Sequence, residues 1–351
     1  MSGADATPPY AVVIPTLGRP SLTACLRALA DAGEPGPSRI VLVDDRPPEL
    51  CTALPVAVPD VLRDRVEIAF GCAGGPAAAR NIGWRAAREP WVVFLDDDVI
   101  PSPGWATALA ADLAAATPDT AAVTARIAVP LPADRRPTDW ERGTAGLATA
   151  RWITADMACR TAALKAVDGF DERFRRAFRE DADLALRMVS AGWRITTGRR
   201  TTTHPVRPAD RLVSLRAQAG NADDVLMTRL HGRSWWRRAD APRGRRPAHL
   251  AVTGAALASA ACALTGRRRA AAGWGALWGL GTAEFAWARI APGPRTGDEV
   301  ATMALTSLLI PPLASYHWLR GLVHHRAARP LPPGSPPTAA RQPARPRAER
   351  V

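Results

Sequence analysis

With 351 residues, 47% of them hydrophobic, the chain is too long for one minimal domain and too apolar for wholesale disorder; one α/β domain of roughly 200–250 residues plus an appendage fits it. Its net charge of +13 is unevenly placed: residues 1–198 carry 22 basic and 25 acidic side chains, and residues 199–351 carry 24 and 8. The basic half also holds the long apolar runs, which predicts contact with an anionic membrane surface, and the lack of a zinc-finger, helix-turn-helix or aromatic-interleaved basic motif argues against nucleic acid.

In chain order, residues 10–14 are a β-branched run stopped by Pro15, a first buried strand. Residues 21–30 place Leu22, Leu26 and Leu29 at helical spacing, with Ser21 the expected N-cap. Strands are expected at 40–43, 66–70, 91–95 and 121–129, and helices at 76–87 and 103–116. Residues 130–146 contain three prolines and read as a loop. Helices at 161–167 and 181–191, a closing strand at 195–204 and an amphipathic helical stretch at 207–230 complete the first part. Strands alternating with helices predict a doubly wound, mostly parallel sheet, with ligands beyond the carboxyl ends of its strands. Thr16, Asp44, Asp45 and Asp96 to Asp98 all follow strand ends directly and should converge on one edge.

Three carboxylates in a row, Asp96-Asp97-Asp98, are costly at a strand end unless a cation sits there. Magnesium and manganese take one or two carboxylates plus phosphate oxygens, and a metal on a diphosphate stabilises it as a leaving group. The bland alternative is a solvated acidic turn. Glu180, Asp181 and Asp183 likewise suit the first turn of a helix through its dipole. His204 closes a Thr-rich strand, where a lone histidine is either structural or a ligand.

The segments VVIPTLGRP, IVLVDDRPP, GGPAAARNIGWRAA, WVVFLDDDVIP, ADMACRTAALKAVDGFDERF and REDADLALRM occur in that order over about residues 10–205. Together they resemble the family 2 glycosyltransferases with a GT-A fold. The resemblance implies an inverting, Mg2+- or Mn2+-dependent transfer of a sugar from a nucleotide-diphosphate sugar to a hydroxyl acceptor, a lipid-linked or cell-surface glycan precursor. It implies that Pro15, Thr16, Asp44, Asp45, Arg80, Asn81, Asp96 and Asp97 bind the nucleotide sugar. It further implies that Asp98, with Asp96 and His204, holds the metal, and that Asp181, beside Glu180, is the catalytic base. Asp156 stands where the family often has Asn on the acceptor side, a departure that leaves its role open. No QxxRW motif follows, which disfavours a processive polysaccharide synthase. Two rivals are a sugar-nucleotidyltransferase, which needs a Gly-rich loop where Pro15-Thr16-Leu17-Gly18-Arg19 stands, and a non-catalytic membrane-anchored nucleotide-sugar-binding module.

The expected organisation is a GT-A domain at 8–232, a basic linker at 233–248, an apolar α-helical membrane-associated region at 249–325 and a disordered Pro/Arg-rich tail at 326–351. The apolar stretches 250–264, 270–288 and 300–319 are only mildly hydrophobic. With Arg267 to Arg269 and the basic tail kept on the cytoplasmic side, a spanning hairpin of the second and third, or a bundle lying on the membrane, is expected. Glu284 then needs a partner, for which Arg289 is the candidate. The five cysteines form no CxxC pair, which fits a reducing compartment, and MSGADATPPY has no positive n-region or apolar h-region, which predicts no cleavable signal. The catalytic domain is accordingly expected to face the cytoplasm from the cytoplasmic membrane.

Overall fold

The computed structural model describes residues 7–50 and 53–331. Strand β1 (Tyr10–Thr16) and β2 (Arg39–Asp44) are apolar and fully buried along nearly their whole length, as strands covered on both faces must be. They pair in parallel with each other, β2 pairs with β3 (Val66–Phe70), and β1 pairs with β4 (Trp91–Leu95), also in parallel. Helix α1 (Ser21–Ala30) buries Leu22, Cys25, Leu26 and Leu29 on one face; each such leucine contributes about 1.5–3 kcal/mol. Its N-cap is Pro20, not Ser21, because Ser21 already lies in the first turn, its hydroxyl buried without a partner.

Helix α2 (Pro76–Ala86) crosses β1 and β2 closely at Gly83, where an added Cβ would lie 2.2 Å from Cγ1 of Val13. Beyond β4 the pattern changes. A two-residue strand β5 (Ile100–Pro101), α3 (Trp105–Ala114), β6 (Thr120–Ala128), α4 (Asp139–Ala145), β7 (Asp156–Arg160), α5 (Thr161–Ala166), α6 (Glu180–Ser190) and β8 (Arg194–Thr203) follow. The eight-stranded sheet has the order β3-β2-β1-β4-β7-β6-β8-β5. Strand β7 runs antiparallel to both β4 and β6, β6 is parallel to β8, and β5 is antiparallel to β8. The sheet is therefore mixed: parallel in its first half, with one reversed strand inserted at its centre. Two apolar cores cover its faces.

The segment expected to be loop at 130–146 contains α4, started by a capping box between Thr138 and Glu141. Helices α7 (Val213–Ala217), α8 (Asn221–His231) and the single turn α9 (Trp235–Arg238) follow β8. Trp235 and Ala239 are buried in one of these apolar cores, so the basic stretch after residue 232 packs onto the sheet domain instead of standing free.

Three long helices close the described chain: α10 (Arg246–Leu264), α11 (Arg268–Ile290) and α12 (Gly297–His324). Among the described residues, α10 is the one helix long and apolar enough, by length and composition, to cross a membrane. Helices α11 and α12, the pair expected to form a spanning hairpin, do not meet that mark, and α12 lies against the sheet domain at both ends. Near its start Glu299 accepts from the Asp139 backbone N–H at 3.0 Å. Near its end Gly321 packs on Ala222 of α8, with room for no Cβ. Glu284 pairs with Arg245, not Arg289. Arg289 is buried and spans Asp139 of α4 at 2.8 Å and Thr306 and Ser307 of α12 at 2.8 and 3.1 Å. Of the expected disordered tail, residues 326–331 are described and 332–351 lie outside the described residues.

Candidate active site

The carboxyl ends of β1, β2 and β4 lie side by side, with Thr16 paired to Asp44 across the β1–β2 ladder. Pro15 and Thr16 end β1, and the Thr16 hydroxyl donates to Oδ2 of Asp97 at 2.7 Å while accepting from the Gly18 N–H at 3.0 Å. Arg19 takes the other oxygen of Asp97 at 3.1 Å. Asp97 is thus buried with both oxygens engaged, and it braces the turn after β1 against β4.

Asp44 is fully buried and holds Arg46 in a fork, with Nη2 2.7 Å from Oδ2. That hydrogen-bonded guanidinium holds its carboxyl below the usual range. Asp45 instead accepts the backbone N–H groups of Gly74 and Gly75 at 2.8 and 2.9 Å, which fixes the glycine turn before α2. Gly75 has φ +88° and an added Cβ would lie 2.7 Å from the Arg175 carbonyl, so this turn needs glycine. Burial raises the Asp45 carboxyl, and the two amides oppose it.

Arg80 is buried on α2 and joins the two acidic groups. Its Nη2 donates to Asp96 at 2.7 Å and its Nη1 to Glu180 at 3.0 Å, and its guanidinium lies 5.6 Å from the Phe170 ring centroid. Burial, reinforced by the charge of Asp181, pushes Glu180 up to about 8, and Arg80 opposes the shift without cancelling it. Burial also raises Asp181, whose Oδ1 accepts from the N–H of Ala182 at 2.7 Å. Asn81 is placed differently. Its amide donates to Phe170 O and to Glu172 and accepts from the N–H of Phe170 and from Trp84, so three of its four hydrogen bonds hold the 169–172 turn and the fourth stays within α2.

Asp96, Asp98 and His204 bring one ligand atom each within 4.8 Å of one another. Nε2 of His204 lies 3.7 Å from Oδ1 of Asp98, and Nε of Arg207 lies 2.8 Å from Oδ2, out of hydrogen-bond alignment. Burial, and then the charge of Asp96, raises the Asp98 carboxyl against the pull of His204 and Arg207. Two carboxylates and an imidazole around one point, with a buried carboxylate oxygen lacking an aligned donor, are a donor set that fits a divalent cation.

Asp156, left open in the sequence, is core. It is fully buried and accepts from Arg200 at 2.8 Å, from Trp105 at 2.6 Å and from Thr202. Arg200 is itself fully buried and also reaches Asp112 at 3.1 Å, tying β8 to α3 and β7. Arg19 and Arg207 were not singled out in the sequence. Arg19 sits in the first motif, VVIPTLGRP, and that position is its only signal; Arg207 follows the histidine strand by three residues and has none.

Residues 11–172 match the family model of Glycosyl transferase family 2. Those residues carry a family 2 glycosyltransferase domain. Over 173 residues the chain is 31% identical to the pre-mycofactocin glycosyltransferase of Mycobacterium tuberculosis, a match that covers 45% of this chain and 35% of that protein. The chain thus spans about a third of the length of the curated relatives it matches. Among solved structures, the mannosyltransferase PcManGT from Pyrobaculum calidifontis, in complex with GDP-Man and Mn2+, aligns at 18% identity and a TM-score of 0.50, covering 90% of this chain and 88% of that one. It shares the fold of this glycosyltransferase domain. S. aureus TarS 1-349 with UDP-GlcNAc aligns more loosely, at 16% identity and a TM-score of 0.40 over 65% of this chain and 69% of that one. Glu180, Asp181 and His204 lie beyond the matched residues, so their roles rest on geometry.

Proposed function

We propose that the chain is an inverting, metal-dependent glycosyltransferase that moves a sugar from a nucleotide-diphosphate sugar to the hydroxyl of a lipid-linked or cell-surface glycan precursor. The observation that carries this reading is the convergence of Asp96, Asp98 and His204 at the strand ends, joined through Arg80 to Glu180 and its neighbour Asp181. Asp96, Asp98 and His204 would hold a magnesium or manganese ion, which supplies positive charge to the departing diphosphate. Thr16, braced on Asp97, and Asp44 and Asp45 form the floor on which the nucleoside rests. Asp181 takes the acceptor proton as the hydroxyl attacks the anomeric carbon from the face opposite the diphosphate. Its raised carboxyl keeps it a stronger base than a solvated aspartate. Glu180 stays in place through Arg80 and sets the first turn of α6.

In this reading the helical region lies on the cytoplasmic face of an anionic membrane. Leu257, Leu264, Leu277, Leu280 and Trp287 are exposed on α10 and α11, and Arg267 to Arg269 mark the turn between those helices. Exposed apolar side chains beside arginines are what an interfacial bundle presents to anionic headgroups.

A thermal-shift panel of UDP, GDP and other nucleoside diphosphates with Mg2+ or Mn2+ tests the donor and the metal together. Asp98→Asn should abolish the metal-dependent shift, and Asp181→Asn should retain it while lowering transfer by about 10²-fold or more. Full activity in either variant would refute the assignment.

A further inference from the structure

Beyond the residues that match the family, the loop before Glu180 and Asp181 is held from outside in an unusual posture. Arg179 immediately precedes Glu180 and has φ +77°. A non-glycine residue there is strained, so something must hold it. Its Nε donates to Asp224 of α8 at 2.9 Å. Its guanidinium lies 4.3 Å from the Phe178 ring centroid and 4.8 Å from that of Trp235 on α9. Trp235 is 4% exposed and belongs to the core. Phe178 in turn packs on Gly220, where a Cβ would come within 2.8 Å of its ring. One turn earlier Arg176 reaches Asp223, the residue before Asp224, at 3.5 Å.

We propose that Arg179 is a positioning residue, clamped by Asp224 and Trp235, that fixes where the first turn of α6 presents Asp181. This rests on the reading of Asp181 as the base. The reasoning is geometric. The left-handed residue sets the direction in which α6 leaves the loop, and α6 carries both Glu180, bound to Arg80, and Asp181. A chain that needed only the turn would place glycine at this φ at no cost. Arginine there ties the turn to two side chains of the segment 221–238. Released from them, the residue relaxes toward negative φ and the helix start rotates. Arg179 touches no reacting atom in this scheme; it acts through the backbone of its neighbour.

The full chain and its Asp224→Asn, Arg179→Ala and Arg179→Gly variants test this by two measurements. One is amide hydrogen exchange of residues 172–181. The other is release of nucleoside diphosphate from UDP-glucose, UDP-N-acetylglucosamine and GDP-mannose with Mn2+, with calorimetric affinity for the nucleoside diphosphate measured alongside. Asp224→Asn and Arg179→Ala should speed exchange in that segment and lower kcat about tenfold or more, with nucleoside diphosphate affinity kept within about twofold. Arg179→Gly, which adopts the same φ freely, should keep more of kcat than Arg179→Ala. Unchanged exchange in Asp224→Asn overturns the proposal, and so does a loss of nucleotide affinity in step with kcat, which would signal general damage. If Asp181→Asn keeps full turnover, the base assignment fails, while the exchange result still decides the clamp.

Discussion

Replacing Arg80 by methionine should destabilise the protein by an amount that grows with pH. Arg80 is buried and donates to Glu180 at 3.0 Å and to Asp96 at 2.7 Å. The Glu180 side chain is 4% exposed and that of Asp96 is 29% exposed, so water can rescue the second but not the first. Glu180 titrates at about 8, above the ordinary 4.5. A carboxyl raised in the folded state contributes stability that is fully present below 4.5 and is lost as pH rises through about 8. At about pH 6 the Glu180 carboxyl is therefore neutral, and the variant forfeits mainly a charge-assisted bond to Asp96 and a neutral one to Glu180, about 2–3 kcal/mol. At about pH 9 Glu180 must either ionise without its partner or hold its proton against the pH, and the loss should reach about 3–5 kcal/mol. Removing the cation also moves the Glu180 titration further upward, which steepens the loss. Urea unfolding of wild type, Arg80→Met, Glu180→Gln and the double variant at both pH values measures this. The double variant should show little of the pH dependence. A cost for Arg80→Met that is the same at both pH values, or an equally steep pH dependence in the double variant, would refute the argument.

Other consequences follow from single contacts. Gly83→Ala should cost about 1–3 kcal/mol by urea unfolding, because overpacking against Val13 outweighs the better helix propensity of alanine. Asp156→Ala should cost about 3–5 kcal/mol, since it breaks a fully buried ion pair with Arg200 and leaves Trp105 and Thr202 without their acceptor; the variant should fail to fold at elevated temperature while Asp181→Asn does not. Flotation with vesicles containing phosphatidylserine should capture the full chain, and serine at Leu264, Leu277 and Leu280 together should release it; binding unaffected by these changes and by salt would remove the membrane reading.

The strands at 66–70 and 91–95 and the helix at 21–30 were legible because their apolar periodicity is local and strong. Strand β7 was not: of its five residues only Asp156 drew notice, as a departure from the family pattern, and the direction of a strand is decided by its neighbours. The sheet is mostly parallel as expected, and that omission hides the one strand reversed at its centre. Helix α4 was hidden by three nearby prolines, although Thr138 and Glu141 stand at capping-box spacing. At the site, the aspartates and Arg80 follow from motif order, but their pairings do not. Nothing in the sequence shows that Asp97 belongs to Thr16 and Arg19, that Asn81 holds Phe170, or that Arg207 reaches Asp98. Those contacts join residues 78 to 109 positions apart.

On the proposed membrane reading, contacts equally distant in sequence decide how the helical region would meet a bilayer. A hairpin of α11 and α12 that crossed the membrane would carry the turn between them to the far side. That turn is fastened to the glycosyltransferase domain instead. Arg289 pairs with Asp139, Glu299 accepts from the Asp139 N–H, Arg142 donates to the Arg289 carbonyl at 2.8 Å, and Arg211 pairs with Asp298. Pulling the turn away would part Arg289, 7% exposed, from Asp139, at a cost of about 3–5 kcal/mol from the broken pair alone. Lying flat keeps every one of these contacts. It also leaves Trp140 of α4 free to donate to the Arg207 carbonyl at 2.8 Å, so the helix that anchors the bundle also holds the backbone of the arginine beside Asp98. An acceptor embedded in the same lipid surface would then reach the base from the side on which the bundle rests, without the domain having to separate from it.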